Sequence, residues 1–325
     1  MGTISLNRDR CSDWMRCPQI VMKRLLLIII FAAGCSSEPP IDPDDFVLLE
    51  DLVHSRKQNT SITGSFDRLG YDDSHGYSSF KTHIEKLGLT HRSVKEPLAY
   101  SSTLEKVDIL FINLTDDKMN RFSEEEVGAI DAFVSEGGGL FVIVDHTNAY
   151  YSSEWIAPVL DLFDLSVSYH TAMEVREETL KQNHWLLLPA ERTAEHYVVE
   201  DVRHHAYLAA GPILGPGSIA WTTEQGWWDA WDESKPPSFW GNFKRDDDEP
   251  ITSSSVMNAL EHGEGRVVVV ADQNIFGNSY LGFADNRRLL SNIIQWLGQK
   301  DEEEPFRNVR PDKPSMMIDF RSRDW

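Results

Sequence analysis

Three apolar runs in this sequence stop at short polar clusters whose side chains are the ones chemistry uses. "GGGLFVIVDHTNAYYSS" ends in Asp145, His146, Thr147 and Asn148, "GRVVVVADQNIFGN" ends in Asp272, Gln273 and Asn274, and "SITGSFDRLGY" leads into Asp72, Asp73, Ser74 and His75. Carboxylate and imidazole together suit Zn, Mn or Mg, so Asp73, His75, Asp145, His146 and Asp272 are candidate ligands for a divalent metal that activates water. Their spacing matches no compact metal motif such as H-E-x-x-H. The alternative use is a hydrogen-bonding floor for a polar ligand, formed by Asp73, His75, Asp145, His146, Asn148, Asp272 and Asn274. A third use is structural, because Asp and Asn at strand ends also cap helices and make turns.

Five tryptophans, Trp221, Trp227, Trp228, Trp231 and Trp240, fall within twenty residues and offer such a pocket an apolar wall on which sugar rings stack. Core packing and a protein-partner surface are the competing uses of the same residues. His204 and His205 are adjacent, so in a strand they face opposite ways and do not share a ligand. "GPILGPG" lacks the Lys-Ser/Thr of a phosphate-binding loop, and no G-x-S-x-G elbow is present.

The elements that must position these residues alternate. "SSFKTHIEKLG" is helical, with Phe80, Ile84 and Leu87 on one face, and "LTHRSV" is a weak strand. "VDILFINL", Val107 to Leu114, is apolar throughout, as in a strand covered on both faces. Ser123 and Glu126 have capping-box spacing ahead of a helix with Val127, Ile130, Ala132 and Phe133 on its apolar side, and Gly137 to Gly139 end it. A helix over Glu154 to Phe163 and a strand near Leu165 to Tyr169 continue the pattern. "ADNRRLLSNIIQWLG" closes it with Leu289, Leu290, Ile293, Ile294 and Trp296 inward. Such alternation predicts an α/β fold with a mostly parallel sheet, and polar residues at strand ends then lie where open α/β sheets bind ligands. The stretch Phe46 to Lys57 reads as a short helix or a loop, and about 173 to 250 as an irregular insertion.

The chain has 325 residues, 41% of them hydrophobic, enough for a sizeable core. With 31 basic and 52 acidic residues its formal charge is −21, which opposes nucleic acid as a partner. "MKRLLLIIIFAAGCSSEPP" carries a basic head, a nine-residue apolar run too short to span a bilayer, and Cys35 in a setting that resembles a bacterial lipobox. The expected organisation is a signal peptide over 1–34 with translation starting at Met22, an acylated Cys35 beginning a Pro-rich acidic tether over 35–60, the α/β domain over 61–299, and a charged tail over 300–325. Removing 1–34 takes away five basic and two acidic residues and leaves −24. It also discards Cys11 and Cys17, so no free thiol remains for a disulfide, a zinc cluster or a nucleophile. The protein is then anchored through lipid to a bacterial cell or outer membrane and faces the periplasm or exterior.

"VDILFINLTDD", "FSEEEVGAIDAFVSEGGGLFVIVDHTN", "GEGRVVVVADQNIFGN" and "DNRRLLSNIIQWL" together resemble an uncharacterised domain family of the class I glutamine amidotransferase-like superfamily. That arrangement also occurs in auxiliary components of gliding-motility ABC transporters. The resemblance implies a flavodoxin-like three-layer fold. Catalytic branches of the superfamily place a cysteine on a sharp turn after a strand, where this chain has Asp145-His146, so the resemblance carries the scaffold without amidotransferase chemistry. The expected function is a ligand-binding or accessory module of the cell envelope. A metal-assisted hydrolase of a glycan or other envelope polymer and an interaction subunit of an envelope complex are the alternatives, with carbohydrate or an envelope protein as partner.

Overall fold

A computed structural model describes residues 45–56, 76–100, 102–174, 185–278 and 280–299. Along the chain these form β1 (Phe46–Asp51), α1 (Ser78–Lys86), β2 (Leu89–Val94), β3 (Ile109–Asn113), α2 (Glu124–Ser135), β4 (Gly139–Ile143) and α3 (Ser152–Leu160). There follow β5 (Ser166–Val167), β6 (His170–Met173), β7 (Trp185–Pro189), β8 (His204–Leu208), β9 (Ile213–Leu214), β10 (Ser218–Trp221) and β11 (Trp227–Ala230). The last elements are β12 (Ser255–His262), β13 (Gly265–Val270) and α4 (Asn286–Leu297).

The main sheet has the order β2-β1-β3-β4-β13-β12-β9-β5, and its first five strands are parallel. This is the mostly parallel α/β sheet the alternation predicts, in the flavodoxin-like arrangement the resemblance implies. All five residues of β3 and of β4 are buried, as the unbroken apolar runs require of strands covered on both faces. On one face, Phe80 of α1 packs on Phe111 of β3 at 5.2 Å between ring centroids, and Phe111 packs on Phe141 of β4 at 5.1 Å. His83 of α1 meets Ser291 of α4 at 2.8 Å, which puts these two helices side by side. Leu289, Leu290, Ile293, Ile294 and Trp296 are all buried.

The capping box of α2 forms as its spacing predicts: the Ser123 hydroxyl accepts the Glu126 N–H, and the Glu126 carboxylate accepts the Ser123 N–H at 3.0 Å. The buried side of α2 is Glu126, Ile130 and Val134, which share one i, i+4 face, and Ala132, two residues on from Ile130 and so on the opposite side, is exposed.

Three expectations are corrected. Phe46–Asp51, read as a short helix or a loop, is β1, paired in parallel between β2 and β3, so the sheet takes in residues ahead of Ser61. The alternation does not persist after α3: the expected strand at Leu165 to Tyr169 is the two-residue β5, antiparallel to β9. β12 and β13 form an antiparallel hairpin. The stretch read as irregular over 173–250 contains the antiparallel pair β7 with β8, and β11, which pairs antiparallel with β6 at its start. The strand expected at "SITGSFDRLGY", the tether before residue 45 and the tail lie outside the described residues. No helix among the described residues is long and apolar enough to cross a membrane.

Candidate functional site

At the end of β4 the backbone departs from regular geometry. Thr147, Tyr150 and Tyr151 have φ of 51°, 52° and 63°, and Leu114, after the neighbouring β3, has φ of 45°. None is glycine, and each residue held in this left-handed region costs of order 1–3 kcal/mol unless its surroundings over-determine it. Here they do. Thr147 donates its N–H to the His170 carbonyl at 2.9 Å and its hydroxyl to the Phe239 carbonyl at 3.1 Å, while the Tyr150 N–H bonds the Pro237 carbonyl at 2.9 Å. The tryptophan-rich insertion is thereby laid across the carboxyl end of β4.

Asp145 and His146 sit under that cover. The Asp145 carboxylate accepts the His146 N–H at 2.8 Å, and the imidazole is held by Thr147 Oγ1 at 3.1 Å from Nδ1, with Nε2 3.5 Å from Asp145 Oδ1. The Trp240 ring lies 5.5 Å from it. Burial pushes the His146 pKa down against the opposing charge of Asp145, and Arg56 adds to the lowering. His146 is therefore a neutral imidazole at pH 7. The Asn148 amide donates to Glu154 Oε1 at 3.0 Å, and its buried carbonyl oxygen has no hydrogen-bond partner among the described residues.

The end of β13 approaches from the side. Asp272 is fully buried, accepts the Leu208 N–H, and caps the turn over Gln273–Phe276 through the Asn274 N–H at 2.7 Å and side chain at 3.1 Å. Burial drives its pKa well above the carboxylate range despite those bonds, and the Asp145 charge adds to the rise. Tyr77, immediately before α1, donates its hydroxyl to the Gln273 carbonyl. Its pKa is raised first by burial, then by Asp272, with Asp145 contributing less, while a hydrogen bond with Asn113 of β3 acts in the opposite direction. Side chains from the ends of β3, β4 and β13 thus converge around one buried tyrosine.

Of the sequence candidates, Asp145, His146 and Asp272 are brought together, and Asn148 and Asn274 are turned into helix and turn contacts. Asp73 and His75 lie outside the described residues. Among the described residues no group of three or more His, Cys, Asp or Glu is arranged to hold a metal. His205 is buried and His204 exposed, as opposite faces of one strand require. Of the five tryptophans, Trp231 and Trp240 reach the rim, whereas Trp227 is buried and Trp228 donates to Ser254 Oγ at 2.7 Å.

A second cluster, at the end of β1, has no counterpart in the sequence reading. Asp51 Oδ1 accepts the Val53 and His54 N–H groups at 2.8 and 3.3 Å, and Oδ2 lies 2.9 Å from His54 Nδ1. The other imidazole nitrogen faces Glu126 Oε1 at 3.4 Å, and the ring stacks on Phe122 at 3.8 Å. Burial acts to raise the Glu126 pKa. Backbone N–H groups of Ser123 and Leu98 and the charge of His54 outweigh it, so the carboxyl lies below its ordinary range. Beside this cluster Arg56 ion-pairs with Asp116 at 3.4 Å and lays its guanidinium 3.8 Å above the Tyr150 ring, joining the rim of β1 to that of β4. Asp51-x-x-His54 was visible as a spacing. Nothing in the sequence tied it to Glu126, which had already been explained by the capping box.

Gly211 packs against this rim, and a Cβ built on it would stand 2.4 Å from the Asp145 carbonyl oxygen. Gly211→Ala is expected to lose about 1–3 kcal/mol through overpacking against backbone. Gly282→Ala, where a Cβ meets nothing within 4 Å, is expected to unfold like the parent. Denaturant midpoints of the two variants test the contact, and equal midpoints would show that the rim yields freely.

The fold and the rim define a class: an open, flavodoxin-like α/β sheet with a polar, insertion-covered end and no cysteine at its strand turns. Within it, the chain belongs to the family described as a domain of unknown function (DUF4350), whose model matches residues 72–294. Among solved structures, the "mmIFT52 N-terminal domain" is similar at 13% identity and a TM-score of 0.55, over 77% of this chain and 97% of that one. A putative ThuA-like protein from Bacteroides uniformis is similar at 11% identity and a TM-score of 0.45, over 82% and 98%. One from Parabacteroides merdae is similar at 13% and 0.45, over 78% and 90%. At these identities the IFT52 likeness shows the fold alone. No curated protein sequence matches the chain.

Proposed function

We propose that this chain is an envelope lipoprotein, anchored through Cys35 and facing away from the cytoplasm, whose α/β domain binds a polar ligand across the carboxyl end of its sheet. A carbohydrate of the envelope is the first candidate. The observation that carries this reading is the set of left-handed, non-glycine residues at the ends of β3 and β4, Leu114, Thr147, Tyr150 and Tyr151, of which Thr147 and Tyr150 are hydrogen-bonded to the carbonyls of Phe239 and Pro237 in the insertion. Strain retained at strand ends in this fold type is a mark of a site. Binding is favoured over hydrolysis because the two rim carboxylates, Asp145 and Asp272, are engaged by backbone N–H groups. The absence of any cysteine after Cys35 separates the chain from cysteine-dependent amidotransfer.

The test is titration of full-length protein in detergent micelles with muropeptides and envelope oligosaccharides, followed by tryptophan fluorescence. Saturable quenching is expected, weakened about ten-fold or more in His146→Ala, the loss of roughly 1.4 kcal/mol of binding energy. No saturable response to any of them would overturn the carbohydrate reading. In parallel, labelled palmitate should enter the parent and not Cys35→Ser, and equal labelling would remove the anchor.

A further inference from the structure

We propose that residues 236–243 form a strap closed over Asp145 and His146, and that a ligand reaches these two residues by lifting it. The proposal deepens the reading of the rim as a binding face and rests on it. In the closed arrangement Asp145 is 2% exposed and the His146 side chain 12%, with the Trp240 ring of the strap 5.5 Å from the imidazole. A binding face so covered is reached only through movement of its cover.

The strap is fastened through its own main chain. The Pro237 carbonyl accepts the Tyr150 N–H at 2.9 Å, the Phe239 carbonyl accepts the Thr147 hydroxyl at 3.1 Å, and the Trp240 carbonyl accepts the Thr171 hydroxyl at 2.8 Å. At its far end the Asn242 and Phe243 N–H groups donate to the two oxygens of the Asp229 carboxylate at 3.0 and 2.6 Å. Asp229 of β11 and Thr171 of β6 are register partners, so this end is fastened at one place on one strand pair. Gly241 apart, no residue of the strap is buried.

The closed and open states are close in energy. Thr147 and Tyr150, the rim residues bonded to the strap, stand in left-handed backbone at φ of 51° and 52°, and lifting the strap frees them to relax. The strain released and the net worth of the hydrogen bonds lost are of the same order. Closure also depends on Gly241, whose φ of 105° is glycine's, and on the space its missing side chain leaves: a Cβ there would stand 2.3 Å from the Asp229 carboxyl carbon.

The experiment follows full-length protein in micelles of an uncharged detergent at pH 7 by two readouts that need no ligand. One is amide hydrogen exchange read by mass spectrometry. The other is carbethoxylation of His146 by diethyl pyrocarbonate, which attacks the neutral imidazole, normalised to exposed His204. Segments 147–151 and 236–243 are expected to exchange together, at least about a hundred-fold faster than the strands β4 and β13. Gly241→Ala and, from the body side, Thr171→Val should each speed exchange of the two segments about ten-fold, the effect of one lost hydrogen bond, and leave the strands unchanged. His146 carbethoxylation should rise by the same factor. Strap amides as slow as those of the strands, no acceleration in either variant, or His146 reactivity that does not follow strap exchange would each overturn the proposal. If Gly241→Ala does not fold, the parent comparison and Thr171→Val decide. An opening strap with no response to any oligosaccharide would sink the carbohydrate reading and leave the strap in place, whereas saturable quenching by oligosaccharide with strap amides as slow as the strands would sink the strap alone.

Discussion

Asp51→Ala is expected to lower folding stability by about 3 kcal/mol or more, because each buried donor left without an acceptor costs about 1–3 kcal/mol. The carboxylate is fully buried at the end of β1 and serves three donors, the N–H groups of Val53 and His54 and the His54 imidazole. Its removal leaves those donors unanswered inside the protein and leaves His54 to Glu126 alone. Asp51→Asn keeps an acceptor for the two backbone groups and gives up the charge opposite the imidazole, so its loss should be smaller. Guanidinium unfolding at pH 7 measures both. A loss below about 1 kcal/mol for Asp51→Ala, the size of an ordinary surface substitution, would mean that water replaces the carboxylate and that the cluster contributes little.

The second large effect is an acid sensitivity traceable to His205. This side chain is fully buried in β8, with Nδ1 2.8 Å from the Tyr207 hydroxyl and no partner for Nε2 among the described residues. Burial pushes its pKa down to about 3, and neighbouring His204 contributes to the lowering. The folded chain therefore refuses a proton that the unfolded chain accepts near the ordinary value of 6.5. Stability from this group is complete above pH 6.5 and drains away as the pH falls toward 3, by up to about 1.4 kcal/mol per pH unit. Asp272 and Asp229 run the other way. Burial raises both carboxyls, Asp229 to about 6, so the folded chain retains protons there that the unfolded chain releases. The parent's pH curve alone is thus a partial cancellation. The difference between parent and His205→Gln, which keeps a hydrogen-bonding side chain without the titration, isolates the histidine. That difference should shrink by about 3 kcal/mol between pH 7 and pH 4. A difference that stays constant would show that His205 is protonated alike in both states.

What the sequence disclosed follows from where polar residues stand. β3, β4, β13, α2 and α4 were legible because their buried positions are apolar and their ends carry a capping box or glycine. β1 was not, because "FVLLED" buries Glu50 and Asp51 completely, and two acids after a Pro-rich acidic stretch read as surface. β12 was missed for a similar reason: Asn258 is buried in its middle, with its amide turned to the Pro216 carbonyl and the Ser255 hydroxyl. At the site, the rule that strand ends face the ligand found Asp145, His146 and Asp272. It did not find Tyr77 or Asn113, whose part depends on a helix start and a neighbouring strand meeting in space. Asn274 shows the opposite case, a residue with the right address and a turn-making job.

The pairing of β4 with β13 has a kinetic consequence. Gly139 and Arg266 are register partners, so this one parallel contact closes a loop containing α3, the whole insertion and β12. Contacts of such long separation are slow to form, whereas β1, β2, β3 and β4 are gathered by shorter connections and are expected to assemble first. Asp272 reaches Asp145 only when β13 docks. The binding face is therefore the last part of the domain to come into existence, and a chain interrupted before Gly265 would carry half a rim on an otherwise plausible sheet.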